Sequence, residues 1–187
     1  MLNTKLLKCI AEFASRDDYR PNLCHIYVRE MPVETTAPDG SAVPEAPILR
    51  IEACDGHRLI RIECYRSAFP LGAGFYTIAD WTDLVCKGRL ALPDCSQQFQ
   101  WPDSDAVIPA KKAQETIDVP AADGEVCKQP IGIQHIGFDP WLLKPLCGLG
   151  KDLFVTWQFT DSNRPIRGDF TFDAVDCLVV IMPMRLK

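Results

Sequence analysis

The 187-residue chain has no uninterrupted apolar run near the ~20 residues that cross a bilayer, so no membrane-spanning helix and no membrane partner are expected. Its opening, MLNTKLLKCI, lacks a basic segment followed by an apolar run and a cleavage site, which argues against secretion. Positive charge is not in excess either. The formal net charge is −5, so any contact with nucleic acid has to come from a local basic face. No Cys-x-x-Cys pair occurs among the 9 cysteines, which excludes a zinc ribbon and a thioredoxin-like motif. Their odd number and scatter suit free thiols in a reducing cytoplasm, which is the expected location. No phosphate-binding glycine loop, HExxH or nucleophile elbow is present, and no metal or cofactor is expected.

What is present is an ordinary globular balance, 47% hydrophobic and 24% charged, long enough to bury a core. TKLLKCIAEFAS reads as a helix, with Leu6, Leu7, Ile10, Phe13 and Ala14 on one apolar face and Asn3 or Thr4 as its cap. Three alternating segments follow: CHIYVRE, ILRIEAC and LIRIECY. Their apolar residues alternate with charged ones, and the Arg/Glu alternation offers opposite-charge pairs on a face open to water. Asp55-Gly56 marks the turn between the last two, and VETTAPDGSAVPEAP reads as a long hairpin tip.

From Ser67 to Pro130 the pattern weakens. GFYTIA reads as a strand and DWTDLVCK as a short helix opened by Asp80, within a proline-punctuated connector. IGIQHIGF restores a strand. Asp139-Pro140 opens a helix in WLLKPLCGLG that Pro145 should kink or shorten. LFVTWQF, IRGDFTF and CLVVIMPMRL supply three more strands, the first two joined by a turn at Asp161, Ser162 and Asn163. The layout is an opening unit at 1–66, a connector at 67–130 and a closing unit at 131–187. It implies a single α+β domain with an internal pseudo-repeat, two helices packed on two antiparallel sheets.

Three stretches together carry a family likeness. SRDDYRPNLCHIYV with RIEACDGHRL, FQWPDSDAVIP, and IGIQHIGFDPWLLKPL through LVVIMPMRL resemble parts of the bacterial sliding clamp, the beta subunit of DNA polymerase III. The first looks like the opening half of that family's middle domain. The second is similar to the segment joining its middle and last domains. The third resembles the closing half of its last domain, including the terminal Met-Pro-Met-Arg-Leu. The likeness covers about two thirds of the chain. Family members carry three such domains per chain and close a six-domain ring around DNA as dimers, and this chain is too short for three. It also departs at Cys54, where the family has Thr, at Ala106, where the family often has Arg, and at Pro145, which interrupts a continuous helix.

The resemblance implies a DNA-clamp-like fold and a hydrophobic groove that captures short linear motifs of polymerases and repair proteins. By matching position the groove takes Leu23, Cys54, Gly56, His57, Arg58 and Leu59, then Pro102 and Val107, then Val180, Met182, Pro183, Met184 and Arg185. The residue types suit that task, because paired methionines repack around different apolar anchors and arginines at the rim hold carbonyls or acidic flanks. The resemblance also implies sequence-independent contact with double-stranded DNA through Lys5, Lys8, Arg16, Arg20, Lys144 and Lys151, on or beside the two helices, and it admits a homo-oligomer. The expected function is thus non-catalytic, in DNA replication or repair. One alternative is a ring-less regulator that competes for clamp-binding partners. Another is a small enzyme using a cysteine with His57; His25 and His135 stand isolated.

Overall fold

The computed structural model describes residues 2–32, 34–36, 42–44, 47–69, 72–87, 100–110, 115–120, 131–133, 136–159 and 163–185. The hairpin tip at 37–41, Pro93, Pro130, His135 and the Asp161–Ser162 part of the expected turn lie outside them.

Helix α1 (Thr4–Phe13) starts where Asn3, in extended conformation, accepts a hydrogen bond from the amide of Lys5 through its side chain. Its face of Leu6, Leu7, Ile10 and Phe13 is buried, as the spacing requires. Fully burying a side chain of this size stabilises by about 1.5–3 kcal/mol. Strand β1 (His25–Met31) leads to a small hairpin of β2 (Glu34–Thr36) and β3 (Ala42–Pro44), then to β4 (Ile48–Cys54) and β5 (Arg58–Tyr65). Gly56, at φ +93°, makes the tight turn between β4 and β5, and Asp55 Oδ1 accepts from the amides of His57 and Arg58.

Strand β6 (Gly74–Thr77) runs directly into α2 (Ile78–Lys87). Its cap is Thr77 rather than the expected Asp80: Thr77 Oγ1 accepts from the Asp80 amide and donates to the Asp80 carboxylate. A single turn, α3 (Ser104–Val107), and strand β7 (Glu115–Pro120) follow. The stretch read as one strand, IGIQHIGF, is a hairpin of β8 (Ile131–Ile133) and β9 (Ile136–Phe138). Asp139 accepts from the Trp141 amide to open a 3₁₀ turn, and α4 (Lys144–Cys147) carries Pro145 in its first turn, where the missing N–H costs nothing. Strands β10 (Phe154–Phe159), β11 (Ile166–Phe172) and β12 (Val175–Ile181) form a meander, and β13 (Met184–Arg185) closes the described chain.

The opening and closing halves join in one eight-stranded sheet of order β6-β1-β4-β5-β12-β11-β10-β7, every pair antiparallel. The two expected sheets therefore meet along the β5–β12 seam, where Ile62 faces Cys177 and Ile60 faces Val179. One face packs against α1, α2 and α4. There Ile26, Val28, Leu49, Ile51, Ile60, Ile62, Val179 and Ile181 meet Leu6, Ile10, Phe13, Trp81 and Leu146 in a single hydrophobic core. Trp81 Nε1 donates to the Leu7 carbonyl at 2.7 Å, which ties α2 to α1. This is an α+β architecture.

The opposite face departs from the simple wet-face expectation. Residues 100–110 cross it. Trp101 packs at a tilt against Tyr27 and Phe75 with ring centroids at 5.4 and 6.3 Å. Beneath α3, the cross-strand pair Glu52–Arg61 is buried, with Arg61 Nε donating to Glu52 at 2.6 Å. Ser104 Oγ sits between them, accepting from Arg61 and donating to Glu52. The alternation of charge does pair the strands, but here it is a roofed network. The terminal run also divides: β12 ends at Ile181, Pro183 interrupts it, and β13 pairs with β9 in a separate three-stranded sheet. Proline cannot donate to a sheet ladder, so the break falls where the expected continuous strand met Pro183.

Candidate functional site

On the outer face, at the end where β4 turns into β5, an apolar groove of about 190 Å³ opens. Leu59 and Val180 form its floor; they are directly opposed across the β5–β12 seam and both nearly buried. Leu23 and Cys54 line it from the β1 and β4 side. Pro102, Ser104 and Val107 supply the wall made by the crossing segment, and Met182 and Pro165 close it. Met182, 46% exposed, is held in place through its amide, which donates to the His57 carbonyl at 2.9 Å. Val107, 48% exposed, is the second large apolar side chain offered to solvent here.

Of the expected groove residues, Leu23, Cys54, Gly56, His57, Arg58, Leu59, Pro102, Val107, Val180 and Met182 come together in this one place. Pro183 is half-buried and does not line it. Met184 and Arg185 lie in β13 by their backbone, and their side chains fall outside the described residues. Two lining residues escaped the sequence reading. Ser104 sits inside FQWPDSDAVIP, where its hydroxyl gave no reason to place it in an apolar wall. Pro165 precedes β11 and reaches the groove only through the sheet topology.

Arg58 does not stand at the rim as a free cation. Its Nε donates to Asp55, one terminal nitrogen donates to the Leu142 carbonyl and the other to the Glu12 carbonyl, and the guanidinium lies 4.8 Å from the Phe13 ring centroid. It ties the β4–β5 turn to α1 and to the 3₁₀ turn, and so fixes one end of the groove. Arg20, expected beside α1 among the DNA-facing cations, lies instead at the groove edge. A Cβ on Gly56 would collide with its guanidinium. Among the described residues no acid pairs with Arg20.

The wall is held by charge. Asp105 accepts from Arg29 at 3.1 Å, Arg50 at 3.0 Å and Arg61 at 2.7 Å. Desolvation against the sheet pushes its carboxyl up, but Arg61, Arg29 and Arg50 outweigh this and hold it down at about 2. Cys54 has its thiol pushed up, first by burial and then by the nearby Asp55 and Glu52 carboxylates, although the Gly56 amide and Arg20 pull the other way. A protonated thiol is a poor nucleophile. His25 Nδ1 lies 2.8 Å from the Pro21 carbonyl.

On the helix side, Lys5, Lys8, Arg16, Lys144 and Lys151 are all exposed. Lys8 and Arg16 border a shallow depression between α1 and α2 together with Glu12, and Lys144 Nζ lies 5.1 Å from the Trp141 ring centroid. Among the described residues no cluster could hold a metal ion, and no helix is long and apolar enough to cross a membrane.

No family model matches the sequence, and none of the curated proteins matches it. Solved structures do. A Bartonella birtlesii sliding clamp (DNA polymerase III subunit beta), solved bound to griselimycin, aligns at TM-score 0.66 and 17% identity, covering 98% of this chain and 63% of that one. The Thermotoga maritima DNA polymerase III beta subunit aligns at 0.63 and 15%, covering 100% and 65%. The Helicobacter pylori beta clamp in complex with carprofen aligns at 0.67 and 10%, covering 98% and 64%. The chain thus has the fold of the bacterial sliding clamps and spans 63% to 65% of the length of these three.

Proposed function

We propose that the chain is a non-catalytic, clamp-like protein of DNA replication or repair whose groove seats a short linear motif of a polymerase or repair protein. The observation that carries this is the convergence of residues from three separated stretches on one apolar groove with a Leu59–Val180 floor. A peptide docking there gains most of its affinity from one or two apolar anchors buried against Leu23, Leu59, Val107 and Val180, with Met182 repacking around them. The protonated Cys54 thiol supports a binding role over a nucleophilic one. The two halves, sharing one core, act as one composite clamp-like domain. Exposed Lys5, Lys8, Arg16, Lys144 and Lys151 give the helix side a means of touching DNA phosphates without reading sequence.

The test is a titration of a fluorescent Gln-Ala-Ala-Leu-Phe peptide against wild type and Met182→Asp. Saturable binding that the variant weakens by about tenfold or more is expected, since a carboxylate in the groove leaves a charge to desolvate. Absent binding, or equal binding by both proteins, overturns the assignment.

A further inference from the structure

Beyond Val107 the groove does not end. A second depression of about 420 Å³ adjoins it, lined by Ala106, Val107, Ile108, Pro109, Ala110, Arg164 and Pro165. Val107 and Pro165 line both, so they form a low ridge shared by groove and trough. At position 106 the lining of the trough carries only a methyl group. Its walls are mostly aliphatic and proline, so it takes an apolar side chain and offers little to a polar one.

The charges along this path are of one sign. Arg58 and Arg164 are the charged residues lining groove and trough, and no carboxylate lines either among the described residues. At the groove edge stands Arg20, its guanidinium packed on Gly56 and near the Cys54 thiol. Arg58 is taken up by Asp55 and two carbonyls, whereas Arg20 meets no described acid. A cation at a groove edge recruits a carboxylate and disfavours a like charge.

Resting on the groove reading above, we infer that the preferred partner is an extended, acidic-flanked peptide. Its acidic residue meets Arg20, its first apolar anchor fills the Leu59–Val180 groove, and a second apolar residue crosses Val107 into the trough beside Ala106. The partner class is therefore narrower than a bare apolar motif.

Three synthetic peptides test this by fluorescence anisotropy: Gln-Ala-Ala-Leu-Phe, Asp-Ala-Gln-Ala-Ala-Leu-Phe-Ala-Leu, and the reversed arrangement Leu-Ala-Gln-Ala-Ala-Leu-Phe-Ala-Asp. One extended peptide is expected to bind wild type about tenfold tighter than the core, the effect of one more buried apolar side chain. Ala106→Arg should remove most of that gain while leaving the core peptide's affinity within about twofold. Arg20→Glu should weaken the better extended peptide and favour its Asp-to-Lys counterpart, a charge reversal that a merely structural role of Arg20 would not produce. If the core peptide binds but neither extension gains affinity, or Ala106→Arg leaves the gain intact, the trough is not used and the inference fails while the groove reading stands. If no peptide binds, both fail together.

Discussion

Replacing Asp105 by Asn keeps the side-chain shape and removes the charge that fastens α3 and its neighbours across the sheet. Asp105 is 57% exposed, but its partners Arg50 and Arg61 are only 12% and 10% exposed, and Arg29 is 31%. Exposed ion pairs contribute about 0.2–1 kcal/mol each, and three that share one half-exposed carboxylate do not simply add. The expected loss is therefore about 1–2 kcal/mol. Salt should not erase it, because shielding shortens the Debye length from about 10 Å to about 3 Å between 0.1 and 1 M while Arg50 and Arg61 stay largely out of solvent. The pH dependence has a definite sign. The folded carboxyl is held at about 2 against an ordinary 3.8, so its contribution is full above about pH 4 and is lost as pH falls toward 2. Urea unfolding of wild type and Asp105→Asn at pH 7 and 5 should give the same difference at both, and the gap should narrow below pH 4. Hydrogen exchange at the Ala106 and Ile108 amides, bonded to Asp103 and Ser104, should quicken in the variant. A difference under about 0.3 kcal/mol, or one that grows as pH drops from 4 to 2, would refute the electrostatic latch.

Two further substitutions probe the frame around the groove. Arg58→Ala removes donors to Asp55, Leu142 and Glu12, and is expected to cost about 3 kcal/mol in urea unfolding and to weaken peptide binding, with Arg58→Lys restoring only part because an ammonium cannot fork to three acceptors. Gly168→Ala would set a Cβ 2.6 Å from the Trp157 ring and 2.8 Å from Val155, and the overpacking should cost about 1–3 kcal/mol in thermal or urea unfolding while leaving peptide affinity unchanged in the folded protein.

The sequence made local structure legible wherever one segment determined it. The 3.6-residue spacing of α1, its Asn3 cap and the two-residue alternation of β1, β4 and β5 all depend on neighbours within a few positions, and each appears as its pattern required. What stayed hidden depends on chain brought from far away. Glu52 and Arg61 look like a solvated pair until Ser104, 52 positions beyond Glu52, is laid over them. Arg58 looks like a free rim cation because two of its acceptors are backbone carbonyls, which no residue letter advertises. Arg20 follows a helix in sequence, yet the turn at 17–20 and the 3₁₀ segment Pro21–Cys24 carry it back against Gly56. The same reasoning applies to the groove floor. Leu59 and Val180 were matched by resemblance to a family, whereas their reason for meeting is the pairing of β5 with β12, a contact between strands more than a hundred residues apart that periodicity cannot specify. That seam matters beyond topology. Because Leu59 and Val180 face each other only if the opening and closing halves keep this register, a one-residue slip of β12 would turn Val180 toward the core and take the paired apolar floor apart. The groove is therefore a property of the joined halves, and neither half alone can present it.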